Sequence, residues 1–431
     1  MSATGAQWEL RCGGSVVSSV GMMTTTEVAR PTVLGTLRLV ALAALGGVLT
    51  GLASYVLLRA FDWAARTRFA HGWVVWLLPL AGLAIGFVYY RIGGRANGGT
   101  IYVVQQAHEL GGGVPARTAP LILAGSTTGQ LFGASVGREG VGLQMAGSIT
   151  DTGGRLLRLS ATDRQTLLEA SLAGAFGAVF GVPFAGVVFA VQLAPRRRLV
   201  TLLVSIAAAF TGNATVHLLG YEHEQFPRLP ATDWTLGLPF KLLLMGVACG
   251  LTARLFVWLV HWLKHTMAQR VLWPPARPVL GGLATIGLVA LVGRDYLGLS
   301  LPLIGEAFAG ADVAIWVPYL KLLFTAVALG CGFVGGEVTP LFVMGATLGA
   351  ALAPTLHVPY LLLVACGFAA VFAAAASVTW AGVVMAIELF GWHAAVPAIL
   401  IGVTARVFAG LPGLYIPRAP RPTLRRWTMR S

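Results

Sequence analysis

Charge is what this chain has least of. Only 11% of its 431 residues are Asp, Glu, Lys or Arg, less than half the roughly 25% of a soluble globular chain. With 56% apolar residues and a mean hydropathy of +0.78, that shortage excludes a soluble globular protein and indicates an integral membrane protein. Cysteine is also scarce. Cys12, Cys249, Cys331 and Cys366 have no paired spacing, so neither a disulfide framework nor a metal-ligand set is expected. His261 and His265 stand four apart in "HWLKHTM" without an accompanying carboxylate, which reads as a solvated cytoplasmic helix end rather than a metal site. "YEHEQF" lacks a second His four residues after His223. An intramembrane protease therefore lacks its residues, and no enzymatic activity, cofactor or metal is expected. Residues 1–30 have no continuous apolar core and do not resemble a secretory signal. The net charge of +14 does not imply nucleic-acid binding, because the basic residues flank apolar runs, where they set topology.

What is present is a series of uncharged runs at 39–58, 72–90, 118–137, 170–195 and 199–221, and a long one at 338–387. A crossing helix needs about 20 apolar residues, so the first five read as single spans and the last as two. The runs at 242–253 and 322–336 are shorter and suggest half-helices. Such broken backbone survives at membrane depth only where it lines a cavity or is buried in protein.

The chain also repeats itself. "AGVVFAVQL" (185–193) and "AGVVMAIEL" (381–389) agree at six of nine positions. "AVF" recurs at 178–180 and 370–372, and "VGRE" (136–139) matches "VGGE" (334–337). Three matches in one order, at offsets of 192 to 198, argue for a duplicated half. Arg30 and Arg38 precede the first span, Arg196–Arg198 lie within the first half, and Arg418, Arg421, Arg425, Arg426 and Arg430 follow the last span. The positive-inside rule puts all of these in the cytoplasm, and the acidic linker 221–234 outside. The halves then run in opposite directions, an inverted-topology repeat whose site sits where broken helices meet at the midplane. The expected organisation is a cytoplasmic segment (1–34), a first half-repeat (35–220), an extracytoplasmic linker (221–236), a second half-repeat (237–417) and a basic cytoplasmic tail (418–431).

Each half carries one glutamate in a Gly-rich stretch just before an apolar helical run, Glu139 and Glu337. An ionised carboxylate at membrane depth costs at least a few kcal/mol, so each marks a functional site. Pro340 suits a first helical turn, with Val338 or Thr339 at the N-cap. Free N–H groups and the helix dipole at such a terminus attract an anion, and glycine lets the backbone approach it. A carboxylate tethered beside that site competes for the same donors while charged and leaves when protonated. Glu139 is thus a candidate gate and proton carrier. The alternative is a glutamate held permanently by Arg138.

These residues resemble the CLC family of anion channels and proton/anion antiporters. "GREGVGLQMAGSI" is similar to the family's gate segment, and "FGVPFAGVVFAVQL" (180–193), "AAASVTWAGVVMAIELF" (374–390) and "GLYIPR" (413–418) fall in its order of features. The resemblance implies an all-α, CLC-like inverted repeat of two halves with half-helices meeting at the midplane. It also implies a homodimer with one anion path per subunit, multi-pass in the plasma (inner) membrane of a bacterium, both termini cytoplasmic. Three departures resemble the fluoride-exporting branch: "RANGGTIYVV" (95–104) without a serine, "GGEVTP" (335–340), and Gln192 where chloride antiporters have an inner glutamate. From that branch, Glu139, Gly140, Glu337, Val338, Thr339, Tyr415 and, in an ambiguous register, Gly98 or Thr100 are expected along the path. Glu337 would join Glu139 in proton handling. The expected activity is fluoride export coupled to proton entry, the alternatives being a chloride/proton antiporter or a passive chloride channel. Glu388 reads as a helix-terminal contact rather than an ion ligand. The partners are fluoride or chloride, protons and the lipid bilayer.

Overall fold

A computed structural model describes residues 32–194, 199–410 and 413–414. The described residues form sixteen α-helices and no strand. The first eight are α1 (Val33–Ala70), α2 (Leu78–Val88), α3 (Gly99–His108), α4 (Thr118–Phe132), α5 (Glu139–Leu156), α6 (Ala161–Phe180), α7 (Pro183–Leu193) and α8 (Leu199–Leu218). After the linker come α9 (Leu238–Arg270), α10 (Ala276–Val292), α11 (Leu301–Phe308) and α12 (Val317–Gly330). The last four are α13 (Val338–Leu356), α14 (Tyr360–Ala376), α15 (Thr379–Phe390) and α16 (Ala395–Ala409).

The duplication is visible helix by helix, since α1–α8 and α9–α16 run in the same order. Both α4 and α12 are followed by a left-handed glycine, Gly133 (φ 101°) and Gly332 (φ 99°), a conformation that costs glycine no steric penalty. The two turns release the strand-like stretches that carry Glu139 and Glu337. Between these stretches lies the one isolated bridge among the described residues, antiparallel, joining Gly137 to Gly336. Gly137 N–H donates to the Gly336 carbonyl at 2.5 Å and Gly336 N–H to the Gly137 carbonyl at 2.8 Å. Two segments of one repeat that pair antiparallel are related by a local two-fold, as opposed halves require.

Among the described residues, six stretches are long and apolar enough to cross a membrane, including α1, α8, α9 and α13. The side chains divide accordingly. Trp63, Trp76, Trp258, Trp262 and Leu291 are exposed, an outward apolar surface suited to lipid. In contrast α13 and α14 are buried nearly all round, as helices at the centre of a bundle must be. Cys249, Cys331 and Cys366 are buried and free. Cys12, Arg30, Arg196–Arg198 and the basic tail lie outside the described residues.

Several expected spans are corrected. The run 170–195 is two helices, α6 and α7, because Gly181 takes φ 74° and Pro183 starts the next helix. The run 338–387 is three helices, broken at His357 and Ser377, which both adopt left-handed backbone. The 242–253 run is no half-helix but the interior of the 33-residue α9, about 50 Å long at 1.5 Å per residue.

The halves also cap one another. Glu388, near the end of α15, accepts from the N–H groups of Phe184 (3.2 Å) and Ala185 (2.9 Å) in the first turn of α7. Gln192, near the end of α7, accepts from Ala381 N–H (2.7 Å) in the first turn of α15. Free N–H groups at a helix start need acceptors, and each helix supplies its counterpart. Glu388 is the helix-terminal contact expected, and Gln192 serves the same end.

Candidate functional site

The bridge at Gly137 and Gly336 brings the starts of α5 and α13 together. Glu139 is the first residue of α5 and 2% exposed. Its Oε2 accepts a hydrogen bond from Thr339 N–H at 2.9 Å and a second, short one from the Thr339 hydroxyl. The tethered carboxylate of one half thus occupies the helix N-terminus of the other. The expected N-cap is corrected: it is Glu337, with Val338 the first helical residue. Thr339 is therefore the second helical residue, where an N–H has no partner within the helix.

Arg138 is 6% exposed, and its Nε lies 3.5 Å from Glu139 Oε1. Neither of these two atoms makes a hydrogen bond. The hydrogen bonds of Glu139 go to Thr339, so Arg138 neutralises the carboxylate without clamping it. Arg138 also donates from Nη1 to the Tyr221 hydroxyl at 3.5 Å, which in turn donates to Asp62 Oδ1 at 3.5 Å. Beside this chain, in the linker, burial pushes the pKa of His223 down to about 4 and raises that of the Tyr221 phenol.

Close approach explains the glycines. A Cβ on Gly140 would stand 2.8 Å from Gly336 Cα and 3.5 Å from Glu337 Oε2. Glu337, 9% exposed, therefore brings its carboxylate close to the backbone of the residue that follows Glu139. The Thr100 hydroxyl, 5% exposed, donates to the Gly140 carbonyl at 3.4 Å. Gln144 donates to both that carbonyl and the Thr100 oxygen at 3.2 Å.

A cavity of about 450 Å³ leads to this point, with Gly98, Thr100, Gln144 and Glu337 in its wall. Gly98 caps α3 and Thr100 lies in its first turn, so both ambiguous positions line one space. Leu414 lines it too; its neighbour Tyr415 lies outside the described residues. Glu139 and Thr339, bonded to each other, are absent from that wall. The structure thus brings together Glu139, Gly140, Glu337, Val338, Thr339 and Thr100, with Gly98 in the cavity wall.

Sequence reasoning missed Gln144, although a lone amide in the apolar first turns of α5 was a usable signal. It also missed the Tyr221–Asp62 support of Arg138. A third omission is Lys321, fully buried, whose ammonium donates to Ser135 Oγ at 2.8 Å and fixes the loop before Glu139. His261, half-buried in the last turns of α9, also lines the cavity with Lys264 and Arg277.

The sequence matches the family model described as "Voltage gated chloride channel" over residues 81–410. It is 38% identical over 387 residues to a protein of Pseudomonas syringae pv. tomato named "Chloride/fluoride channel protein", covering 87% of this chain and 85% of that one. An "H(+)/Cl(-) exchange transporter ClcA" of Cronobacter sakazakii is 27% identical, with 82% of each chain covered. Among solved structures, a CLC-type fluoride/proton antiporter superposes with a TM-score of 0.84 at 29% identity, over 88% of this chain and 96% of that chain. The expected fold, an all-helical membrane protein of CLC architecture, is borne out.

Proposed function

The chain belongs to the voltage gated chloride channel family, the CLC anion transporters, and on that premise we propose that it exports fluoride in exchange for protons, with Glu139 as the gate. The observation that carries the reading is the bond from Thr339 N–H to Glu139 Oε2 at 2.9 Å. A halide at the start of α13 needs those same donors, so carboxylate and halide are alternatives there. Protonation removes the charge that holds Glu139 at a helix N-terminus, and a neutral acid yields the donors to an anion. Return of the ionised carboxylate displaces the anion. One anion leaving and one proton arriving are thereby linked at a single atom set.

Fluoride is small and strongly hydrated, and it needs dense donors to replace its water. The Thr339 N–H and hydroxyl supply two, with backbone N–H groups at Val338 and Gly140 beside them; Tyr415 is assigned as a further donor by its place in the sequence. Glu337, at the wall of the cavity, takes the second proton-handling role, since the amide of Gln192 is engaged with Ala381. The names borne by the Pseudomonas relative and the solved antiporter support fluoride as cargo. The protein is assigned as a homodimer of the bacterial inner membrane with cytoplasmic termini, two half-repeats (35–220 and 237–417) and an external linker (221–236). In that orientation the cavity opens to the cytoplasm.

The test is anion efflux from proteoliposomes while external pH is recorded. Fluoride loss with proton uptake, well ahead of chloride loss, is expected. Rapid chloride loss with little fluoride loss rejects the cargo, and fluoride loss without proton movement leaves a channel.

A further inference from the structure

The cavity that ends at Glu337 carries basic groups that the exchange cycle above does not use. Lys264 and His261 come from the last turns of α9, and Arg277 from the start of α10. They are not equivalent. Arg277 donates to the Val271 carbonyl at 3.1 Å and the Ala268 carbonyl at 3.4 Å, so it closes the end of α9. His261 Nδ1 lies 2.7 Å from the Val257 carbonyl of its own helix. Lys264 is exposed, lines the cavity, and its ammonium interacts electrostatically with Glu337. A flexible four-carbon stem carries a compact point charge there.

An anion in this cavity has the Glu337 carboxylate in its wall. While ionised, that group repels the anion in a site where charge is poorly screened. An ammonium in the wall of the same cavity reduces that repulsion without requiring a proton. We propose that Lys264 is the counter-charge of this vestibule, which offsets an ionised Glu337 so that fluoride binds before Glu337 is protonated. The proposal rests on the fluoride-transport reading above. It separates two tasks: Glu337 handles the proton, and Lys264 admits the anion while that proton is absent.

Isothermal titration of the purified full-length protein with sodium fluoride at neutral pH tests it, with transport of the parent in proteoliposomes as control. Lys264→Gln is expected to weaken fluoride binding about tenfold, with an unchanged melting temperature, and Lys264→Arg to restore most of it. In a Glu337→Gln background, where no repulsion remains, adding Lys264→Gln is expected to change binding less than twofold. Unchanged binding in Lys264→Gln overturns the proposal. So does an equal loss in both backgrounds, which makes Lys264 a direct anion ligand. A parent that neither binds nor transports fluoride overturns the functional reading instead.

Discussion

Glu139 and Thr339 stand 200 residues apart in sequence, yet the carboxylate of one accepts the backbone N–H of the other at 2.9 Å. Glu139 opens α5 in the first half and Thr339 lies in the first turn of α13 in the second. The contact is therefore made across the join of the two repeats. It places a titratable group on donors that an anion would use.

The Thr339 hydroxyl is the side-chain part of that donor set. Thr339→Val keeps the shape and removes the donor. A hydrogen bond to a charged group contributes about 1.5–3 kcal/mol, so fluoride transport in proteoliposomes is expected to fall about 10- to 100-fold. Transport at the parental rate would show that the hydroxyl does not touch the anion.

The bridge leaves no room for a side chain. A Cβ on Gly336 would lie 2.6 Å from Gly140 N, against backbone that cannot swing aside. Gly336→Ala is expected to cost about 1–3 kcal/mol through overpacking. The cost should appear as a lower melting temperature of the purified protein, together with loss of transport. A variant that melts and transports like the parent would contradict the close approach.

Glu388 and Gln192 cap each other's helices and line neither the gate nor the cavity. Glu388→Ala removes two bonds at the start of α7 and is expected to cost about 1–2 kcal/mol of stability. The ratio of protons to fluoride moved should stay unchanged. A changed ratio would put Glu388 on the proton route.

His223 lies in the linker, half-buried beside Gly181, with its pKa pushed down to about 4. Between that value and the ordinary 6.5, the unfolded chain binds a proton that the folded protein refuses. Stability must therefore rise with pH across this window and be lost as pH falls from about 6.5 to about 4. His223→Gln should flatten that part of the melting-temperature profile. An equally steep profile in the variant would mean that other groups set it.

How much of this was legible in the sequence depends on the physics of each signal. Glu139 and Glu337 stood out because a charge amid apolar residues is expensive and needs a reason. The duplication was legible because two halves that fold alike keep similar glycines and small residues at close contacts. The break between α6 and α7 was not, because hydropathy runs unbroken from 170 to 195 and hides Gly181 and Pro183. The continuity of α9 was hidden for the opposite reason, since Arg254 and Lys264 interrupt hydropathy but not the helix. Gln144, Tyr221 and Lys264 gain their meaning only from packing: Tyr221 meets Arg138 from 83 residues away. No spacing rule reaches across such a distance.

The most direct test of the account is fluoride-driven proton movement in proteoliposomes containing Glu139→Gln. Glutamine keeps the shape and cannot carry a proton, so proton uptake is expected to vanish whether or not fluoride still leaks outward. Proton uptake at the parental rate, coupled to fluoride as before, would contradict the claim that this carboxylate is the gate.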